Sequence, residues 1–131
     1  MRRVECFKQL RVWREARSIR KRIYKVTKIF PGFEKYGLSV QMTRAAVSIT
    51  ADIAEGFGRK FRAENIRFCR ISRGSLAELR DHLTTAYDEE DIAGNLCEKL
   101  DRGLIGLVQM LNGYIRSMKR REAHHVQSLR R

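Results

Sequence analysis

The chain has 131 residues, with 28 Lys and Arg against 15 Asp and Glu, a formal net charge of +13 and an isoelectric point near 10.4. That length suits one domain, and an apolar content of 43% is enough for a core. No apolar run approaches the roughly 18–20 residues of a membrane span, and the opening MRRVECFKQLRVW lacks the apolar centre of a signal peptide, so the expectation is a soluble cytoplasmic protein that makes no membrane contact.

A single proline, Pro31, and long 3.6-residue periodicity without strand-like alternation predict an all-α fold. The first helix is expected over residues 8–28. Val12, Ala16, Ile19, Ile23 and Val26 form its core stripe, and Arg14, Arg17, Lys21, Lys25 and Lys28 its opposite, basic face, about 21 Å long at 1.5 Å per residue. It must stop before Phe30-Pro31-Gly32, because proline disfavours helical geometry in its predecessor. The loop over 30–37 carries three aromatic residues, which are expected to pack over the bundle end.

The second helix, over 36–59, reads as apolar on two sides. Leu38, Met42, Ala45, Ile49 and Ile53 line one face, and Val40, Val47, Ala51 and Ala54 the other. A helix apolar nearly all round is buried all round, which predicts one face inside the protomer and the other against a second subunit. Gly56 and Gly58 are read as its terminators, in the left-handed geometry that favours glycine after a helix end.

The third helix is expected over 63–87, with Phe68, Ser72, Ser75, Leu76, Leu79, Leu83 and Ala86 inward and Arg67, Arg70 and Arg73 outward. Gly74 costs about 1 kcal/mol against alanine in a helix and is expected to permit a close helix approach. Residues 88–91 form an acidic turn, read as a plain solvated loop in preference to one that complements the next helix's N-terminal dipole. The fourth helix is expected over 93–119, with a core stripe of Leu96, Leu100, Leu104, Leu107, Leu111, Ile115 and Met118. Its flanking face, with Gly103, Gly106 and Met110, suits a neighbouring subunit. The domain is expected to occupy 1–119, with 120–131 a basic, flexible tail. Four such helices joined by short loops make an antiparallel, up-down-up-down four-helix bundle.

No catalytic constellation emerges. GxxxxGK[ST], HExxH and GxSxG are all missing. Ser48 and Ser75 have no histidine near them in sequence, and Asp52 with Glu55 beside Arg44 reads as a structural ion pair. Cys6, Cys69 and Cys97, without a CxxC, and three scattered histidines offer no metal-ligand spacing. The expectation is a non-enzyme that needs neither metal nor cofactor.

Charge carries the functional signal. An ordinary solvated face mixes signs, yet residues 1–28 hold eleven Lys and Arg against two Glu. One-sided patterning of this kind points to a polyanion. Arginine forks and lysine point charges neutralise phosphates and read little sequence. Arg14, Arg17, Lys21, Lys25, Lys28, Arg67, Arg70 and Arg73 are the candidate phosphate contacts, with Lys119, Arg120 and Arg121 adding non-specific affinity. Trp13 and Tyr24 fall beside the core stripe and are expected to pack rather than stack on bases. The competing reading is a protein-interaction module whose basic face docks an acidic protein without touching nucleic acid.

The chain resembles the bacterial four-helix-bundle family of proteins encoded in ribosomal-RNA intervening sequences. The resemblance rests on Phe7, Leu10, Val12-Trp13, Ile23-Tyr24, Thr27, Phe30-Pro31, Glu34, Tyr36-Gly37-Leu38 and Gln41. It continues through residues 44–49, Arg-Ala-Ala-Val-Ser-Ile, and 53–56, Ile-Ala-Glu-Gly, then Arg59, Phe68, Gly74-Ser75-Leu76 and Glu78-Leu79. Asp52 stands where asparagine is more usual, and Ser72 where alanine is. The resemblance implies a ring-shaped homopentamer. The strong basicity is similar to that of one branch, the accessory variability proteins of diversity-generating retroelements. That branch implies RNA, with DNA as a second candidate, and a reverse transcriptase as partners in mutagenic reverse transcription.

Overall fold

The computed structural model describes residues 3–130 and contains four helices, with no strand among the described residues. They are α1 (Arg11–Thr27), α2 (Leu38–Gly58), α3 (Arg62–Asp88) and α4 (Gly94–Arg130), an arrangement consistent with a four-helix bundle. α1 starts three residues later than its periodicity implies. Residues Phe7–Gln9 form a separate 3₁₀ turn, in which the Gln9 side-chain oxygen accepts from the backbone N–H groups of Glu5 (2.8 Å) and Cys6 (3.1 Å).

The core is built from the expected stripes. Val12, Ala16, Ile19, Ile23 and Val26 of α1 are buried against Leu38, Met42, Ala45, Ile49 and Ile53 of α2 and the leucine row of α4, within a single cluster. Each helix commits one apolar face to a common interior, and burial of those faces drives the association. Thr27, Thr50, Asn65 and Ser72, drawn inside, find partners. Ser72 donates to the Ile49 carbonyl at 2.9 Å, and Arg20 reaches from α1 to the Thr50 hydroxyl at 2.9 Å.

The order in which the helices pack sets the side toward which each surface points. α2 packs on both α1 and α3, and α4 packs on both α3 and α1, so α1 and α3 lie diagonally across the molecule. Pairing between neighbours is marked by Ser39 with Thr27, Ser48 with Ser75, Arg73 with Asn112, and Arg80 with Asp101.

The second face of α2, expected against another subunit, is open in the protomer: Val47 and Ala51 are exposed and Val40 and Ala54 half-buried. Several other local expectations are corrected. Gly56 is not a left-handed terminator. No described glycine has a positive φ, and Gly56 is a buried helical residue pressed against α3. A Cβ there would lie 2.7 Å from Asn65 Oδ1 and 2.9 Å from Phe68 Cβ. Gly74, expected at a close approach, faces open space. Of the three loop aromatics only Phe30 is buried, while Phe33 and Tyr36 are 78% and 86% exposed. Tyr24 is also exposed. The fourth helix does not end near Lys119 but continues to Arg130, with Met118 its last buried residue.

Candidate nucleic-acid interface

The basic face of α1 follows directly from helical geometry. With Val12, Ala16, Ile19, Ile23 and Val26 turned inward, Arg14, Arg17, Lys21, Lys25 and Lys28 project outward, and all five are exposed. None takes part in an ion pair among the described residues, where the cations that do are Arg59, Arg80 and Arg102. The Arg17 guanidinium lies 5.9 Å from the centre of the buried Trp13 ring, which orients one head group of the row.

The α3 cations are less uniform. Arg67 and Arg70 are exposed, but Arg73 is half-buried and donates to Asn112 Oδ1 of α4 at 2.8 Å. It braces two helices and is the weakest candidate of the group. Arg80 is taken up by Asp101, at 2.8 and 3.2 Å from two nitrogens. A residue outside the expected set joins Arg67: Arg59, at the end of α2. Both guanidinium groups cover the Phe68 ring, at 4.8 and 5.0 Å from its centre, and Glu55 holds Arg59 at 2.7 Å. An arginine pair fixed on an aromatic face loses little rotamer freedom on meeting a phosphate. Its sequence signal is the i,i+4 Glu55–Arg59 spacing.

Because α1 and α3 are diagonal, their basic faces point to different sides of one protomer. They act on one polyanion only if it wraps the molecule or if neighbouring copies bring the faces together. Lys119, Arg120 and Arg121 lie on the exposed continuation of α4, beyond the core. Of the expected subunit-contact residues on α4, Gly106 is open, Met110 packs against the core, and Gly103 sits beneath Arg22 Nη1, 3.3 Å from the site of a Cβ.

Candidates for chemistry are engaged elsewhere. Ser48 and Ser75 bond each other at 2.9 Å, and Ser48 donates to Asp52 at 3.0 Å. Glu55 is paired with Arg59 rather than Arg44. All three cysteines are free, and burial pushes the Cys69 thiol up to about 12. Among the described residues no group of three or more His, Cys, Asp and Glu is placed to hold a metal ion. Among those residues, no helix is long and apolar enough to cross a membrane.

The acidic turn is more than a solvated loop. α3 closes with Glu90 in the left-handed region, φ 61°, and the Asp91 N–H bonds back to the Ala86 carbonyl at 2.8 Å, the ring closure of a helix-terminating motif. The turn carries Asp91 inward to 8% exposure. Neither carboxylate oxygen meets a protein donor. Glu34 lies beside it, and hydrogen bonding to Asp91, then burial, then the Asp91 and Glu89 charges, raise its carboxyl above the ordinary 4.5. Two carboxyl groups can hydrogen-bond only while one keeps its proton, which favours the protonated form of Glu34. The folded chain therefore binds more protons than the unfolded one just above pH 4.5. This stabilisation is complete below that value and is lost as pH rises through the raised folded value. Glu34→Gln, whose amide donates at any pH, is expected to flatten that decline. Thermal melts across this range check it, and an unaltered pH profile would sink the assignment.

The profile of the 23S rRNA-intervening sequence protein family matches residues 8–113. The chain belongs to that family. The match takes in α1, α2, α3 and most of α4, and leaves the continuation of α4 outside it. A crystal structure at 1.70 Å of a protein with unknown function, from the S23 ribosomal protein family of Bacteroides thetaiotaomicron VPI-5482, has the same fold. It superposes with a TM-score of 0.74 at 22% identity, covering 79% of this chain and 97% of that one. No curated protein matches the chain.

Proposed function

We propose that this member of the 23S rRNA-intervening sequence protein family is a non-catalytic basic scaffold that binds structured RNA, or an RNA–DNA hybrid, through its helix faces. The carrying observation is the α1 row from Arg14 to Lys28: five exposed cations along about 21 Å, none neutralised by a carboxylate of the described chain. Phosphates recur along a nucleic-acid backbone at spacings such a row can meet, and contacts of this kind bind without reading bases. The Arg59–Arg67 pair over Phe68 supplies a second, pre-oriented contact on another side.

The finer role in this reading follows the resemblance to retroelement accessory proteins. The helices run up-down-up-down, the protomers assemble into a ring-shaped homopentamer in the cytoplasm, and the assembly serves a reverse transcriptase. Two features support an assembly. The exposed Val47 and Ala51 leave an apolar strip on α2 without cover, and neighbouring copies would let the diagonal α1 and α3 faces serve one polyanion that does not wrap the protomer.

A second reading has its own observation. Between α1 and α4 lies a groove of about 330 Å³, floored by Val26, Leu96 and Leu100 and rimmed by Arg22, Lys25 and Lys99. An apolar floor with a basic rim suits an acidic, amphipathic protein segment. The two readings separate in a salt titration with a structured RNA and a duplex DNA of equal length. RNA binding is expected to show a log–log slope corresponding to about five or more released counterions. Binding that disappears by physiological salt would overturn the RNA reading in favour of the acidic-protein one.

A further inference from the structure

The chain is strongly basic, yet one end of it is acidic. Glu34, Asp88, Glu89, Glu90 and Asp91 meet where the loop after α1 approaches the turn before α4, with Glu34 close enough to Asp91 and Glu89 to feel both charges. An open recess of about 660 Å³ lies there, lined by Tyr87, Asp88, Glu90, Asp91 and Ile92. Asp91 is more than nine-tenths buried, and both its oxygens lack a protein donor. A buried carboxylate without a donor is costly. A proton shared with Glu34 is one remedy, and a cation brought from outside is the other. Tyr87, in the wall of the recess, is exposed, so the site offers apolar contact together with negative charge.

The other end of α4 has the opposite character. Past Met118 the helix runs about 18 Å further without a further buried residue. A helical segment of that length without tertiary support is marginal in water. It carries Lys119, Arg120, Arg121 and Arg130 against the single Glu122, and it exposes Val126 and Leu129, one turn apart on the same face. The segment thus needs cover and presents cations beside apolar groups, which is what the acidic recess lacks. The two features cannot meet within one chain, because α4 begins beside the recess and carries the segment about 38–55 Å away.

We propose that the acidic recess is the socket for the α4 continuation, residues 119–130, of a second copy of this chain. The contact is heterologous, one end of each copy seated on the opposite end of the next, so repetition closes a ring or extends a filament. It names a specific contact for the oligomer proposed above and to that extent rests on that reading. It also assigns Arg120 and Arg121 to a neighbouring protomer rather than to RNA.

Two double variants of the full chain test this by sedimentation equilibrium over a concentration series, with circular dichroism to verify folding. Arg120→Glu with Arg121→Glu reverses the plug, and Asp88→Lys with Glu90→Lys reverses the socket. Each alone is expected to weaken self-association by roughly tenfold or more. A quadruple variant carrying both reversals in one chain is expected to regain it, because its acidic plug fits the basic socket of the next copy whatever the number of copies. Unchanged assembly in both double variants, or a quadruple variant that folds but stays dissociated, overturns the proposal. RNA affinity measured in parallel keeps the two ideas apart. The α1 face is intact in all samples, so failure of the wild-type chain to bind RNA would count against the scaffold reading alone. If reversal of the plug weakens RNA binding and leaves the mass unchanged, the segment belongs to the RNA surface and the socket assignment falls.

Discussion

Gly56→Ala is expected to destabilise the protein by about 1–3 kcal/mol and to lower its melting temperature by roughly 5–10 °C, although alanine is the better helix former. The added methyl would stand 2.7 Å from Asn65 Oδ1, 2.9 Å from Phe68 Cβ and 3.1 Å from the Asn65 carbonyl oxygen. Two of these atoms cannot yield cheaply, because Phe68 Cβ and the Asn65 carbonyl move only with the backbone of α3. Nor can the third. Asn65 donates to Tyr114 Oη at 3.3 Å and accepts from Cys69 Sγ at 3.6 Å, so turning it away would leave buried polar groups without partners. Relief comes only from separating α2 and α3, the most extensively packed pair in the molecule. Gly106→Ala is the control. Nothing lies within 4 Å of its Cβ position, and there alanine is expected to stabilise α4 by about 1 kcal/mol. Thermal or urea melts of the two variants should move in opposite directions. A neutral Gly56→Ala would mean that the α2–α3 contact is looser than its geometry.

The contrast between these glycines shows where sequence reading reaches its limit. A glycine announces that something forbids a side chain or tolerates its loss, but not which. Gly56 reads as a helix terminator because it precedes a basic link, and Gly74 reads as a packing notch because it sits mid-helix beside a serine. Across the helix lies the reverse: α3 backbone against Gly56 and open space beside Gly74. The apolar stripes were legible because 3.6-residue spacing alone places Ile19, Ile23, Ile49, Ile53, Leu104 and Leu111 on buried faces. Pairings distant in sequence carry no such period. Arg73 with Asn112 removes a cation from what reads as a continuous α3 stripe, and Arg80 with Asp101 ties up another further along the helix. The diagonal placement of α1 and α3 is likewise a property of packing order, which neither helix encodes by itself. In sequence Asp91 is one of several adjacent acids with nothing to single it out, and only the left-handed turn at Glu90 carries it inside.

Reversing two charges in the middle of the α1 row, Arg17→Glu with Lys21→Glu, is expected to lower RNA affinity on the order of tenfold to a hundredfold at physiological salt. The log–log salt slope should fall by about 2, close to one for each phosphate no longer neutralised. Both residues are exposed, lie one turn apart, and pair with no carboxylate of the described chain. Their reversal therefore removes no ion pair that the fold uses, and the melting temperature should stay close to that of the parent chain. The Arg17 stack on Trp13 covers a ring already buried by the core, so its removal exposes little apolar surface. The matching variant on the other side, Arg67→Glu with Arg70→Glu, discriminates further. The two faces are diagonal, so in a single protomer each would meet a different length of RNA. Effects that add in free energy in the quadruple variant would mean that one RNA touches both faces, as a wrapped molecule or a multi-copy assembly requires. Small single-face effects with a much larger loss in the quadruple variant would mean that the faces bind separate RNAs and substitute for each other. If the α1 variant binds RNA as the parent does, the row is a solvated surface as far as RNA is concerned, and the groove rimmed by Arg22, Lys25 and Lys99 becomes the site to test, with an acidic peptide in place of RNA.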